Sequence, residues 1–260
     1  MPSTPVNPVV ASVSAFFPCF NDQATIGSVV NAAAKTIEEV GVDGEMIVIN
    51  DGSTDNSQDV LENLAAEHPT LRLVVHERNR GYGGALLSGF AAATKEWVFY
   101  TDGDAQFDPT ELALLVDRAT ADVDVVQGYK LQRADNVMRR IVGRVYHRVV
   151  ALMFGLEIRD TDCDFRLIRR SLLDRVRLEH TSGVICVEMV RKFQDAGARF
   201  VEVPVHHYPR AHGRSRFFRP ANVARSLWEL AGLWVGLILL RRGRWSSVPG
   251  RDDRERRPDR

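Results

Sequence analysis

Residues 97–106 read Trp97-Val98-Phe99-Tyr100-Thr101-Asp102-Gly103-Asp104-Ala105-Gln106. A short run of aromatic and β-branched residues leads directly into two carboxylates separated by one glycine. Such a run, apolar without alternation, fits a strand buried on both faces, as in parallel sheets. The acids then lie at the carboxyl end of that strand, the edge where open α/β sheets take ligands. Gly103 permits a tight turn, so Asp102 and Asp104 can reach one hard cation, and Gln106 adds an oxygen on the same side. Mg²⁺ and Mn²⁺ take oxygen ligands, and Mg²⁺ commonly bridges one or two carboxylates to substrate phosphates. A surface turn uses the same residue types. What favours the metal reading is the company these acids keep.

Working outward, Val9–Phe17 reads as a strand ended by Pro18. Ile26, Val29, Val30, Ala33, Ile37 and Val40 have helical spacing over 25–40, with Gly41 as the stop. Strands are expected at 45–50, 71–76, 97–101 and 123–127. Helices are expected at 56–68, from the glycines at 81–84 to about Thr94, and from Asp108-Pro109 onward. This alternation predicts an α/β domain with a mostly parallel sheet flanked by helices. Two more polar clusters, Pro18–Asp22 and Asp51–Asp55, share the edge that carries Asp102. Phe20 beside Asp22 suits ring stacking with a polar anchor. Asp51 can accept hydrogen bonds from a base or ribose, while Asp55, Ser53 or Thr54 can cap the next helix. Asn79–Ala85 lacks both Gly-x-Gly-x-x-Gly and a Lys followed by Ser or Thr. It therefore reads as a tight helix start with close backbone approach, not as a dinucleotide or phosphate loop.

The 260 residues are 45% hydrophobic and 26% charged, ordinary globular values, and 34 basic residues balance 34 acidic ones. Overall charge names no partner, and no nucleic acid is expected. The distribution is uneven. His206–Arg225 holds five Arg, three His and no acid, and residues 241–260 hold eight Arg against four acids. Three scattered cysteines, with no Cys-x-x-Cys, fit a reducing cytosol. No signal pattern opens the chain. The uncharged run Leu230–Leu240 falls short of the roughly 20 apolar residues that a span needs. Two segments suit an interfacial position on an anionic bilayer. One is Met138–Phe154, with Arg140, Arg144 and Arg148 in a stripe. The other is Leu227–Leu240, with Trp228 and Trp234 followed by Arg241 and Arg242. Packing on the core or a contact in a homo-oligomer would use the same faces. The expected organisation is a loose N-terminus over 1–8, a catalytic domain over 9–216, an amphipathic helical segment over 217–243 and a disordered basic tail over 244–260.

Together these motifs resemble the family-two glycosyltransferases, which have the GT-A fold. Within that family they look most similar to the polyprenyl-phosphate sugar synthases, dolichyl-phosphate mannose synthase among them. Pro18-Cys19-Phe20-Asn21-Asp22 matches Pro-x-aromatic-Asn-Glu, with Asp in place of Glu. Asn50-Asp51-Gly52-Ser53-Thr54-Asp55, Asn79–Ala85 and Asp102–Pro109 match the loops that follow in the same order. Asp162-Cys163-Asp164-Phe165-Arg166 resembles a later segment in which Gly usually stands where Asp164 is. Arg210–Arg216 resembles the basic loop that closes on the donor phosphates. The resemblance implies a nucleotide diphosphate sugar held by Pro18, Phe20, Asp22, Asp51, Asp102, Arg210 and Arg216. It implies Mg²⁺ or Mn²⁺ on Asp102, Asp104 and Gln106. It also implies inversion at the anomeric carbon, with a polyprenyl phosphate as acceptor at the inner face of the cell membrane.

Asp104 belongs to the catalytic set. A lipid phosphate oxygen is already anionic and needs no strong base. A soluble or glycan hydroxyl acceptor needs one, and Asp162, Asp164 and Glu188 are candidates. Asp160, Asp162 and Asp164 alternate, so an extended chain would point all three one way. A nucleotide-sugar-binding protein without turnover is the remaining alternative, and the intact Asp102–Asp104 pair speaks against it.

Overall fold

The structure is a computed structural model that describes residues 7–131, 147–210 and 220–240. Among these residues seven strands form one sheet in the order β3-β2-β1-β4-β6-β5-β7. The strands are β1 (Ser12–Cys19), β2 (Asp43–Asn50), β3 (Leu71–Val75), β4 (Trp97–Thr101), β5 (Val125–Lys130), β6 (Phe165–Arg169) and β7 (Phe200–Val205). All run parallel except β6, which is antiparallel to both β4 and β5. The predicted α/β class and mostly parallel sheet are as observed.

Side chains alternate between the two faces with a period of two. Val13, Ala15, Phe17, Met46, Val48, Trp97 and Phe99 pack under helices α1 (Ile26–Val40), α2 (Ser57–Glu67) and α4 (Leu112–Arg118). Phe16, Ile47, Ile49, Val98 and Tyr100 pack on the other face under α3 (Tyr82–Ala92), α6 (Arg170–Leu173) and α7 (Ile185–Asp195). Every residue of β4 is buried, which is why its sequence shows no polar alternation.

Helix α1 ends as its sequence predicts. Gly41 adopts φ 73° and returns its N–H to the Ile37 and Glu38 carbonyls. Asp108 caps the 3₁₀ turn Pro109–Glu111 that leads into α4, accepting from Thr110 N at 3.0 Å.

A smaller apolar cluster joins a helix over 147–154 (α5), α7 and α8 (Pro220–Trp234) through Val150, Phe154, Val184, Val187, Leu230 and Leu233. Trp234 Nε1 donates to the Met153 carbonyl at 2.8 Å. A π-helical turn, Val235–Leu239, continues α8. No helix among the described residues is long and apolar enough to cross a membrane. Arg140, Arg144, Arg216, Phe217, Phe218 and the tail from Arg241 lie outside the described residues.

The expected end of β1 at Pro18 was one turn of the pleat short, because the strand continues through Pro18 to Cys19. The Pro18 carbonyl accepts from Gly103 N at 3.1 Å, on the side where the β4 ladder has already ended at Tyr100. The N–H that proline lacks would point the same way, so no ladder bond is lost.

Candidate active site

The sheet brings three loops to one edge, at the carboxyl ends of β1, β2 and β4. Hydrogen bonds stitch them together. Gly103 N donates to Pro18 O, and Thr25 Oγ1 donates to Gly103 O at 2.8 Å. Asn21, at φ 60°, donates its N–H to Ser53 Oγ at 3.0 Å and accepts from Thr54 N at 2.7 Å. A Cβ at Gly103 would meet Pro18 O at 2.8 Å, so the turn between the two acids needs glycine.

Asp51 is buried, and protein groups occupy its carboxylate. Oδ1 pairs with His76 Nδ1 at 2.7 Å and accepts from Arg80 N at 2.8 Å, while Oδ2 accepts from Gly81 N at 3.1 Å. Asp51 therefore shapes the glycine loop at 79–84. Asp55 takes the local role considered for it, accepting from Ser57 N at 3.0 Å at the start of α2.

Asp102 differs. Its Oδ1 is buried with no hydrogen-bond partner among the described residues, and the same holds for Thr101 Oγ1 beside it. Burial drives the Asp102 carboxyl well above the usual range. Asp164 and then Asp104 push it further, and the Tyr82 hydroxyl pulls it back in part. Asp104 is also raised, by burial first, although Arg210 and the Gln106 N–H counteract. Asp22 is pushed up to about 6 by burial, with Asp104 adding to the rise and the Phe20 N–H, 3.1 Å from Oδ2, opposing it. Four carboxylates from Asp22, Asp102, Asp104 and Asp164 thus share one cleft. Ala105 holds φ 58° inside the turn, where Gln106 N returns to Asp104 Oδ1 at 3.0 Å.

The basic side is partly in view. Arg210 forms an ion pair with Asp104 itself. Gln106 turns to the same segment, receiving Arg210 Nε at 3.4 Å and donating to Tyr208 O at 3.1 Å.

A model of the family described as Glycosyl transferase family 2 matches residues 14–177. The chain belongs to glycosyl transferase family 2. This glycosyltransferase is also similar in fold to glucosyl-3-phosphoglycerate synthase from Mycobacterium tuberculosis. The complex of that protein with uridine diphosphate superposes with a TM-score of 0.67 at 20% identity, over 90% of this chain and 86% of that one. The complex with Mg²⁺ and uridine diphosphate gives 0.68 at 19%, over 89% and 85%. The complex with Mn²⁺, UDP-glucose and phosphoglyceric acid gives 0.67 at 20%, over 91% and 84%.

The loop before β6 completes the glycosyltransferase cleft. Its alternating acids do not form an extended row, as the spacing suggested. Asp160 is buried and its Oδ1 accepts from Asp162 N at 3.2 Å, which turns the chain. Asp164 then lies close enough to Asp102 and Asp104 to raise both, and it accepts from Cys186 Sγ at 3.3 Å.

Two cations here carry no role in the sequence reading. Lys130 donates to Asp162 O at 2.6 Å. Burial pulls its ammonium down, but Asp160, Asp162 and Asp164 outweigh this and leave it raised. Arg166 is buried within β6 and donates to Tyr100 Oη at 2.7 Å and to the Thr161 carbonyl. A lysine at the carboxyl end of a parallel strand was a legible signal for the first. For Arg166, one arginine inside Phe165-Arg166-Leu167-Ile168 gave only its position.

Glu188, a candidate base, is withdrawn from that role. It is buried among N–H groups and cations, and its carboxyl is lowered to about 2. Burial opposes this, but hydrogen bonds from His180 and Lys192 prevail. A carboxylate so stabilised is a poor proton acceptor.

Proposed function

We propose that this glycosyltransferase moves a hexose from a nucleotide diphosphate sugar to a polyprenyl phosphate at a membrane surface. The observation that carries the acceptor is the exposed apolar face of α5 and α8. Leu152 is 86% and Trp228 82% exposed, with Val149 half open and Leu227, Leu239 and Leu240 more than half open. The sequence brackets α8 with Arg214, Arg216 and Arg219 on one side and Arg241, Arg242 and Arg244 on the other. Apolar helices flanked by arginine suit the interface of an anionic bilayer. The cytoplasmic, peripheral location at the inner face of the cell membrane belongs to the same reading.

On the donor side, Pro18, Phe20 and Asp22 face the nucleotide, with Asp51 setting the wall beside it. Asp102 and Asp104 fit Mg²⁺ or Mn²⁺. A buried carboxylate oxygen without a partner, among acids that repel one another, is relieved by a hard cation. No three His, Cys, Asp or Glu side chains converge as a ligand set among the described residues. The cation would thus take its remaining oxygens from diphosphate and water. When bound it supplies Lewis-acid stabilisation of charge on the leaving diphosphate. Arg210 adds a guanidinium on that side, and Arg216 belongs to the same loop in sequence. Lys130 and Asp164 stand where the acceptor enters. The incoming phosphate oxygen is anionic, so the chain need only orient it and exclude water.

A second reading has its own support. The similar structures include complexes with phosphoglyceric acid, a soluble acceptor carrying a hydroxyl. With such an acceptor, Asp164 or Asp162 takes the hydroxyl proton.

Labelled sugar donor, offered with polyprenyl phosphate vesicles and separately with 3-phosphoglycerate, separates the two. An organic-extractable, acid-labile product supports the lipid acceptor. Label that stays in water as a sugar phosphoglycerate supports the second reading and removes the first.

A further inference from the structure

Glu188 is fully buried in α7, and the chemistry above does not use it. Its carboxylate gathers the chain that precedes the helix. Oε1 accepts from Glu179 N at 3.1 Å and from Lys192 Nζ at 2.7 Å. Oε2 accepts from His180 N at 3.0 Å and lies 3.0 Å from His180 Nδ1. An ionised acid that holds two successive backbone N–H groups fixes the path of the residues that follow.

Those residues are the surface on which the glycine loop rests. The Thr181 carbonyl accepts from Gly84 N at 3.2 Å. A Cβ at Gly81 would meet that same oxygen at 2.6 Å. A Cβ at Gly83 would collide with the His180 carbonyl and meet Ser182 O at 2.7 Å. Gly81 has φ 86°, so this loop depends on glycine for both its conformation and its closeness to the neighbouring chain. The loop in turn presents Arg80 N and Gly81 N to Asp51. The 179–182 segment is pinned further along as well, since Ser182 Oγ hydrogen-bonds Glu229 of α8.

We propose that Glu188 is a positioning residue for the sugar-nucleotide site. It fixes the 179–182 backbone, which fixes the Asn79–Gly84 loop, which with Asp51 forms one wall of that site. The inference rests on the placement of the nucleotide beside this wall given under Proposed function.

Glu188→Gln preserves volume but removes the charge and turns one acceptor into a donor facing Lys192 or a backbone N–H. The dissociation constants of UDP and GDP, measured by calorimetry with Mg²⁺ or Mn²⁺, show which nucleotide the wild type takes. In Glu188→Gln that constant and the KM for the sugar donor should rise about tenfold, the loss of one charge-assisted hydrogen bond. The kcat and the acceptor KM should stay within about twofold, a change under 0.5 kcal/mol in barrier. Gly83→Ala presses on the same backbone from the opposite side and should give the same split, which keeps the test open if Glu188→Gln does not fold.

Wild-type nucleotide affinity in folded Glu188→Gln, or in Gly83→Ala if the first does not fold, overturns the inference. So does a fall in kcat at unchanged donor affinity, which would place Glu188 in the chemistry. If the wild type binds neither nucleotide, the donor reading itself has failed.

Discussion

Asp51 and Asp102 stand on either side of β1 at the same sheet edge, and each follows an apolar strand. Asp51 is saturated, with His76, Arg80 N and Gly81 N all bound to its carboxylate. Asp102 keeps a buried oxygen that has no hydrogen-bond partner among the described residues, beside acids that repel it. A buried polar group without a partner costs stability. The fold bears that cost at Asp102 and avoids it at Asp51, whose carboxylate serves the scaffold.

Substitution should separate the two. Asp102→Ala and Asp104→Ala are expected to lower kcat by about a thousandfold, the scale of losing the electrostatic support of a transition state. Asp102→Asn should also raise the melting temperature at pH 7. The wild-type carboxyl is raised in the folded state, so its ionisation opposes folding at every pH above its unfolded value. Equal melting temperatures would mean that Asp102 carries no such penalty. Asp51→Ala should do the reverse and lose about 3 kcal/mol in urea unfolding, because it strands His76 and two backbone donors. Retained stability would sink the scaffold role.

The comparison extends to Glu188, a second saturated acid. Its folded carboxyl is depressed to about 2, so its contribution is fully present above the unfolded value near 4.5 and disappears as pH falls toward 2. Denaturation from pH 6 to pH 2 should show about 3 kcal/mol more loss in wild type than in Glu188→Gln. Mg²⁺ or Mn²⁺ with the matching nucleoside diphosphate, at about 100 times its dissociation constant, should stabilise the wild type by about 2.7 kcal/mol. The double variant Asp102→Asn, Asp104→Asn should lose most of that gain. The smallest effect belongs to Ala105→Gly, which relieves the positive φ and should shift stability by about 1 kcal/mol or less.

Much of this frame was readable in the chain. β4 and its terminal acids were legible because a wholly buried strand leaves no polar alternation, and Gly41 marked the end of α1 because few other residues take its φ. What escaped depended on partners distant in sequence. Pro18 stays within a strand only because the ladder beside it has ended. Asp160 bends its own segment through a side-chain bond that spacing does not reveal. Asp51 faces Arg80 and Gly81, nearly 30 residues away, and nothing in its own loop says so. Gln106 meets Tyr208 and Arg210 from beyond β7. Motifs mark the loops at the sheet edge, but they do not say which oxygen each loop already shares with a partner distant in sequence.

The reversed strand carries one more consequence. β5 and β6 are antiparallel neighbours, which a two-residue hairpin could join, yet residues 131–164 lie between them. The sheet does not require that length. The segment re-enters the sheet beside β4 with Asp164 at its end. The parallel strands β1 to β4 pair with one another without drawing on this segment. Such an arrangement uncouples the length of the segment from the pairing that holds the parallel half of the sheet together.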